Sequence, residues 1–130
     1  MKQELSHIAI IVKDYDEAIR FYCDKLHFTL LEDTVLSETK RWVKVRPPGS
    51  SGASLLLARA ANDEQASRIG NQTGGRVFLF LYTDNFDRDF NNLIAQNISI
   101  IRQPSRETYG IVAVFSDIYG NLWDLIQPNS

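Results

Sequence analysis

An internal repeat with a spacing of 71 residues constrains this chain more than any other feature. The segment HIAIIVKDYDEAIRFYCDKL, which begins at His7, aligns without a gap with FLFLYTDNFDRDFNNLIAQN, which begins at Phe78. In this alignment Tyr15 matches Phe86, within a region that covers a strand, a turn and a helix. Such a repeat dictates architecture, because each copy has to fold into a similar unit. The sequence therefore predicts two similar modules in one small chain.

Each copy has the pattern of a strand, a helix and three further strands. A β-branched run from Ser6 to Val12 predicts the first strand, and Asp14 predicts the N-cap of a helix that ends near Leu26. A polar connector follows, in which Asn62 predicts a short helix that Gly70 ends. The other expected strands are residues 28–34, 41–46, 53–58, 76–82, 98–103, 110–116 and 122–126, and the second long helix is residues 85–96.

These elements predict both the domain organisation and the fold class. One helix per module covers one face of its sheet and leaves the other face bare, so two bare faces can turn toward a shared cavity. The predicted fold is α+β, with two tandem βαβββ modules that form an incomplete barrel around a central cavity. We expect a single domain over residues 1–130, with module 1 at about 5–60, the connector at about 61–75 and module 2 at about 76–128.

Composition excludes several classes of partner. A net charge of −2 and a pI near 5.6 give no electrostatic reason to expect nucleic acid binding. No stretch approaches the roughly 20 apolar residues that a membrane span needs, and the first residues run directly into a strand, so we expect neither a membrane segment nor a secretion signal. The single Cys23 cannot form an internal disulfide and suits a reducing compartment, which predicts a cytoplasmic protein.

Two segments make the chain resemble the vicinal oxygen chelate superfamily, which includes glyoxalase I, extradiol dioxygenases, and the fosfomycin and bleomycin resistance proteins. The first is HIAIIVKDYDEAIRFYCDKLHF, a strand that begins with His followed by a helix. The second is SDIYGNLWDLIQP, an Asp-x-x-Gly-Asn turn followed by a strand with an acidic residue. The resemblance covers nearly all of residues 5–128 and implies the fold predicted above, a small-molecule ligand and a homodimer. It does not imply one reaction, because the same fold hosts unrelated activities.

The resemblance also implies a set of metal ligands. Metal-using relatives take a His from each first strand and a Glu from each last strand, and the matching positions here are His7, Phe78, Leu56 and Asp124. Leu56 matches Asp124 when the turn glycines Gly52 and Gly120 are aligned, with a longer turn in the first copy. Of these only His7 and Asp124 can bind a metal, and a catalytic metal commonly has three protein ligands. The resemblance therefore implies a weakly bound divalent ion (Mn, Fe, Co, Ni or Zn) at His7 and Asp124, or no metal.

Other residues are candidates for contact with a substrate. Side chains alternate along a strand, so Phe78, Phe80 and Tyr82 share one face and predict an aromatic binding surface, which Leu56 would extend. His7 and Asp124 could also pair as a dyad that transfers a proton without metal. The alternatives are a packed His7 and a hydrogen-bonded, buried Asp124. Four cations could bind an anionic substrate or form a solvated edge: Arg41, Lys44, Arg46 and Arg76.

Three function hypotheses follow. The first is a divergent glyoxalase- or dioxygenase-like enzyme (a lyase, isomerase or dioxygenase, but not an ordinary glyoxalase I) that uses His7 and Asp124 on a small oxygen-rich molecule. The second is a metal-free protein of the bleomycin-resistance type that binds an aromatic or cationic small molecule. The third is a non-catalytic structural module, which the retention of polar His7 and Asp124 disfavours.

Overall fold

The computed structural model describes all 130 residues, which form two compact units, Met1–Ile69 and Gly70–Ser130. Each unit contains one four-stranded mixed sheet. The predicted order of strand, helix and three strands is confirmed in both units, and so is the α+β class. The boundary between the units lies inside the predicted connector.

The two sheets have the same topology. In unit 1 the order is β1-β4-β3-β2 and in unit 2 it is β5-β8-β7-β6, with the first and last strand of each unit parallel. Unit 1 contains β1 (His7–Val12), α1 (Tyr15–Ile19) continued by a π-helix (Arg20–Lys25), β2 (Thr29–Val35), β3 (Arg41–Arg46), β4 (Ser54–Arg59) and α2 (Asp63–Ala66). Unit 2 contains β5 (Leu79–Tyr82), α3 (Phe86–Ala95), β6 (Ile100–Glu107), β7 (Gly110–Ser116) and β8 (Leu122–Pro128).

Equivalent residues begin the main helix of each unit. The Asp14 carboxylate accepts a hydrogen bond from the Glu17 N–H at 2.8 Å, which confirms the predicted N-cap. Asn85, 71 residues later, caps α3 through the Arg88 N–H at 3.0 Å. Each cap satisfies a backbone donor that the first helical turn leaves without an intrahelical partner. None of the helices is long and apolar enough to cross a membrane.

Each helix covers one face of its own sheet. In unit 1, α1 contacts β3 and β4, and the helical segment buries Ala18 and Tyr22. In unit 2, α3 contacts β8 and buries Phe86 and Leu93. The most buried sheet residues are Ile10, Val12, Val43, Val45 and Leu57 in unit 1 and Ala113, Phe115 and Leu125 in unit 2. The opposite faces carry half-buried and polar side chains, together with the buried Val112, Val114 and Ile126 in unit 2.

Two strands differ from their predicted extents by three or more residues at one end. Strand β5 begins at Leu79 rather than at Arg76, because only its last residues pair with β8. Strand β6 continues past Pro104 to Glu107, whereas the predicted strand ended at residue 103. Proline is tolerated there because β6 is an edge strand and its register shifts between Arg102 and Ser105, so no ladder bond requires the missing N–H.

Gly70 is expected to tolerate no side chain. Its φ is +74°, and an added Cβ would lie 1.9 Å from the carbonyl oxygen of Tyr119, whereas Gly74 has a similar φ of +67° with open space around it. We expect Gly74→Ala to cost about 1 kcal/mol of unfolding free energy from backbone strain alone. Gly70→Ala should cost more than about 3 kcal/mol, because strain and overlap add. Urea unfolding of both variants measures the difference, and equal losses would contradict the packing described.

Candidate functional site

The bare face of each sheet carries a row of four residues in register. The row in unit 1 is Ala9, Leu56, Lys44 and Glu32. The row in unit 2 is Phe80, Asp124, Val114 and Arg102. Ala9 and Phe80 are 71 residues apart, and their strand partners are Leu56 and Asp124. The pairing therefore places Leu56 and Asp124 at equivalent positions, as the alignment of the two copies indicates.

Asp124 lies in a mostly apolar part of this row. Its strand neighbours are Phe80 and Val114, and no hydrogen bond from a side chain within its unit reaches the carboxyl group. Burial raises the pKa of Asp124, and the positive charge of Arg102 opposes that rise. Arg102 also lies 3.4 Å from Glu107, its partner in an ion pair. Asp124 is therefore a carboxyl group whose protonated form the fold favours.

Aromatic side chains lie beside Asp124. Phe80 pairs directly with it, and Tyr82 is two residues farther along the same strand, so both lie on its face. Both rings are largely exposed, at 61% and 69%. Phe78 precedes β5, is half-buried, and donates its backbone N–H to the Leu122 carbonyl at 2.8 Å. Substrate contact by these three residues stays a prediction.

His7 has its neighbours in unit 1. The half-buried imidazole meets the ring of Trp42 edge-on, with 5.6 Å between the ring centroids, and its Nδ1 lies 3.2 Å from the Ser6 hydroxyl. This contact accords with the packed alternative considered for His7. Because His7 belongs to one unit and Asp124 to the other, the proton-transfer dyad stays a prediction.

A cavity of about 550 Å³ in unit 1, the Trp42 cavity, was not predicted from the sequence. It lies at the end of the sheet where β3 begins and β4 ends. Its aromatic and apolar lining is Tyr15, Trp42, Leu56, Leu57, Ala58, Ala60 and Ala61, and its polar lining is Thr39, Lys40, Arg41, Arg59 and Gln65. Of the residues that the sequence offered as substrate contacts, Leu56 and Arg41 line this cavity.

Arg41 is held in place at this cavity by several contacts. Its guanidinium forms ion pairs with Asp16 at 2.9 Å and Asp33 at 2.6 Å and lies 5.2 Å from the centroid of the Tyr15 ring. Its backbone N–H donates to the Tyr15 hydroxyl at 3.2 Å. The hydrogen bond from Arg41 holds the pKa of Asp33 below its ordinary value. β3 is an interior strand, so Arg41 does not belong to a solvated edge.

The donor set does not fit a metal held by three protein ligands. No group of three or more His, Cys, Asp or Glu side chains is arranged to hold a metal ion. Leu56 and Phe78, which occupy two of the family's ligand positions, carry no donor atom. A divalent ion at His7 and Asp124 therefore stays a prediction from the resemblance.

Hydrogen bonds around Asp117 hold the turn before β8 in place. The buried Asp117 carboxylate accepts hydrogen bonds from the backbone N–H groups of Tyr119 and Asn121, both at 2.9 Å, and from the Asn121 side chain at 2.8 Å. Gly120 has a φ of +101°, which side-chain-bearing residues rarely adopt. These hydrogen bonds fix the start of the strand that carries Asp124.

Replacement of Asp124 should change stability in a pH-dependent way. Because its pKa is raised in the folded state, the folded protein binds the proton more readily than the unfolded chain, so the Asp124 contribution to stability falls as pH rises from about 4 upward. The unfolding free energy of Asp124→Asn, relative to wild type, should therefore increase between about pH 3 and about pH 8. Urea unfolding at both pH values measures this increase, and a difference independent of pH would contradict it. Asp24→Asn, at an exposed site, controls for the loss of one charge.

Comparisons with known proteins identify the family of this chain. Residues 4–125 match the model of the Glyoxalase/Bleomycin resistance protein/Dioxygenase superfamily. An uncharacterized protein of Shewanella frigidimarina (strain NCIMB 400) is 61% identical over 130 residues, which cover 99% of this chain and 96% of the relative. The crystal structure of UcmS2 is similar, with a TM-score of 0.84, 26% identity and coverage of 97% of this chain and 98% of that one. TnmS3, an antibiotic binding protein from Streptomyces sp. CB03234, has a TM-score of 0.78, 28% identity and 98% coverage of both chains. The chain therefore belongs to the Glyoxalase/Bleomycin resistance protein/Dioxygenase superfamily.

Proposed function

We propose that this protein binds a small organic molecule in the Trp42 cavity without the help of a metal. The observation that carries the proposal is the cavity itself. Its volume of about 550 Å³ lies within the range of known ligand sites, and its lining combines an apolar surface with a few polar groups. Trp42 supplies an aromatic ring, and Leu56 supplies an aliphatic side chain at a position where metal-using relatives have a ligand.

Two further observations support binding rather than metal-dependent catalysis. TnmS3, a relative that this chain resembles over 98% of its length, is described as an antibiotic binding protein. Leu56 and Phe78 stand at two positions where metal-using relatives have ligands. Half of the donors that the family's metal sites use are therefore missing. Both observations favour the second of the function hypotheses over the first.

Asp124 supports a second candidate function. A carboxyl group whose raised pKa favours the protonated form, paired with an exposed aromatic ring at Phe80, suits proton transfer to or from a small oxygen-rich molecule. His7 would be the other member of such a site. In this proposal Asp124 holds or releases the proton, while Phe80 and Tyr82 contact the substrate.

A homodimer is proposed on the resemblance, and a cytoplasmic location is proposed on the lone cysteine.

The proposed binding can be tested with phenylnaphthylamine (NPN), an uncharged aromatic dye that fluoresces in apolar surroundings. We expect NPN to bind the wild-type protein with a stoichiometry of one, and Trp42→Ala to weaken binding at least about tenfold, because a buried aromatic contact contributes on the order of 1–3 kcal/mol. Tyr109→Ala, which removes an exposed aromatic ring outside the cavity, is the matched control. If Phe80→Ala abolished NPN binding and Trp42→Ala did not, the binding site would be the bare sheet face of unit 2 and not the Trp42 cavity.

Metal titration separates the two candidate functions further. With only His7 and Asp124 as donors, we expect calorimetric titration of the chelator-treated protein with Mn, Fe(II), Co, Ni and Zn to show no stoichiometric binding, because a tightly held catalytic metal usually has three protein ligands. Stoichiometric binding that Asp124→Ala abolishes would contradict this expectation. It would favour the enzyme hypothesis with a further ligand.

A further inference from the structure

The charges that line the Trp42 cavity all have one sign. Three of its lining residues are cationic, Lys40, Arg41 and Arg59, and none is acidic. The acids Asp14, Asp16 and Glu38 line an adjoining cavity of about 270 Å³, whose lining also includes Lys40, Arg41 and Arg59. The lining therefore differs in sign from the protein as a whole, whose net charge is −2.

The two arginines of the cavity differ in whether they form ion pairs. Arg41 is neutralised by its ion pairs with Asp16 and Asp33. Arg59 forms no ion pair, and its guanidinium lies 5.9 Å from the centroid of the Tyr15 ring. An arginine that stacks on an aromatic ring keeps its N–H donors for a ligand, and those donors match the geometry of a carboxylate, sulfonate or phosphate group.

The apolar part of the lining is large enough for the body of an organic molecule. Trp42, Leu56 and Ala58 come from the bare face of the sheet, and Ala60 and Ala61 follow β4. An inorganic anion would leave this surface without a partner. A ligand with an apolar body and one acidic group would use both parts of the lining.

The second copy of the repeat lacks these cations. Leu56 and Asp124 occupy equivalent positions in the two units. At the same distance beyond them along the chain lie Arg59 in unit 1 and Gln127 in unit 2. The same register places Ile111 at the position of Arg41. Both residues line a cavity of about 430 Å³ in unit 2, whose lining contains Asp84, Asp87 and one cation, Arg106. The unpaired arginine therefore distinguishes unit 1 and is not a general consequence of the fold.

We infer that the Trp42 cavity selects organic anions, namely acids with an apolar, preferably aromatic, body, and that Arg59 recognises the acidic group. This inference rests on the proposed function, since it assigns the ligand class of the same cavity. The inferred ligand is an anion, whereas the second function hypothesis considered an aromatic or cationic molecule.

Two dyes with the same aromatic body test the inference. Anilinonaphthalene sulfonate (ANS) carries a sulfonate group that NPN lacks. ANS is expected to bind the wild-type protein at least about tenfold more tightly than NPN, because a hydrogen bond to a charged group is worth roughly a factor of ten or more in affinity. Arg59→Gln, which introduces the residue found at this position in unit 2, should abolish that advantage and change NPN affinity less than about twofold. The advantage should also decrease as salt is added.

The controls separate failure of the inference from failure of the proposed function. Arg20→Gln removes an exposed cation of the same unit outside the cavity and is expected to leave ANS affinity unchanged. If ANS and NPN bind equally well, or Arg59→Gln does not affect ANS while Trp42→Ala weakens both dyes, selection of anions is wrong and the binding function stands. If the wild-type protein binds neither dye, both proposals are wrong. Thermal unfolding of each variant checks that the fold is retained.

Discussion

The parallel pairing of the first and last strand in each unit is the constraint on which the rest of the structure depends. Residues of β1 pair with residues of β4 that lie 47 positions later, as in His7 with Ser54. A parallel pair needs a crossover connection, and here the helix and the two intervening strands supply it. Because side chains alternate along a strand, a slip of one residue would exchange the helix-covered face for the bare face. The register therefore decides which residues can reach a ligand.

Local signals in the sequence predicted most of the fold. The caps at Asp14 and Asn85 are short-range interactions, and the repeat allowed each copy to support the interpretation of the other. The alignment of Leu56 with Asp124 could be made from the sequence because the turn glycines provided an anchor, and the strand register agrees with it. The extent of β6 could not be predicted, because the tolerance of Pro104 depends on its position at the edge of the sheet.

The candidate site was harder to predict, for a physical reason. The lining of the Trp42 cavity comes from α1, the turn before β3, β3 itself, β4 and the segment after it, and no local pattern unites them. The unpaired state of Arg59 depends on where the carboxylates lie in three dimensions. The signal available in the sequence was the difference between the two copies, in which arginine replaces glutamine.

The contacts of Arg41 have a consequence for the thermodynamics of binding. A flexible side chain that becomes ordered at a binding site loses conformational entropy, on the order of 1 kcal/mol for a residue with many rotamers. Arg41 has already lost this freedom, because two carboxylates and the Tyr15 ring fix its guanidinium before any ligand arrives. The Arg59 guanidinium lies over the same Tyr15 ring. Part of the entropic cost of recognition is therefore met during folding.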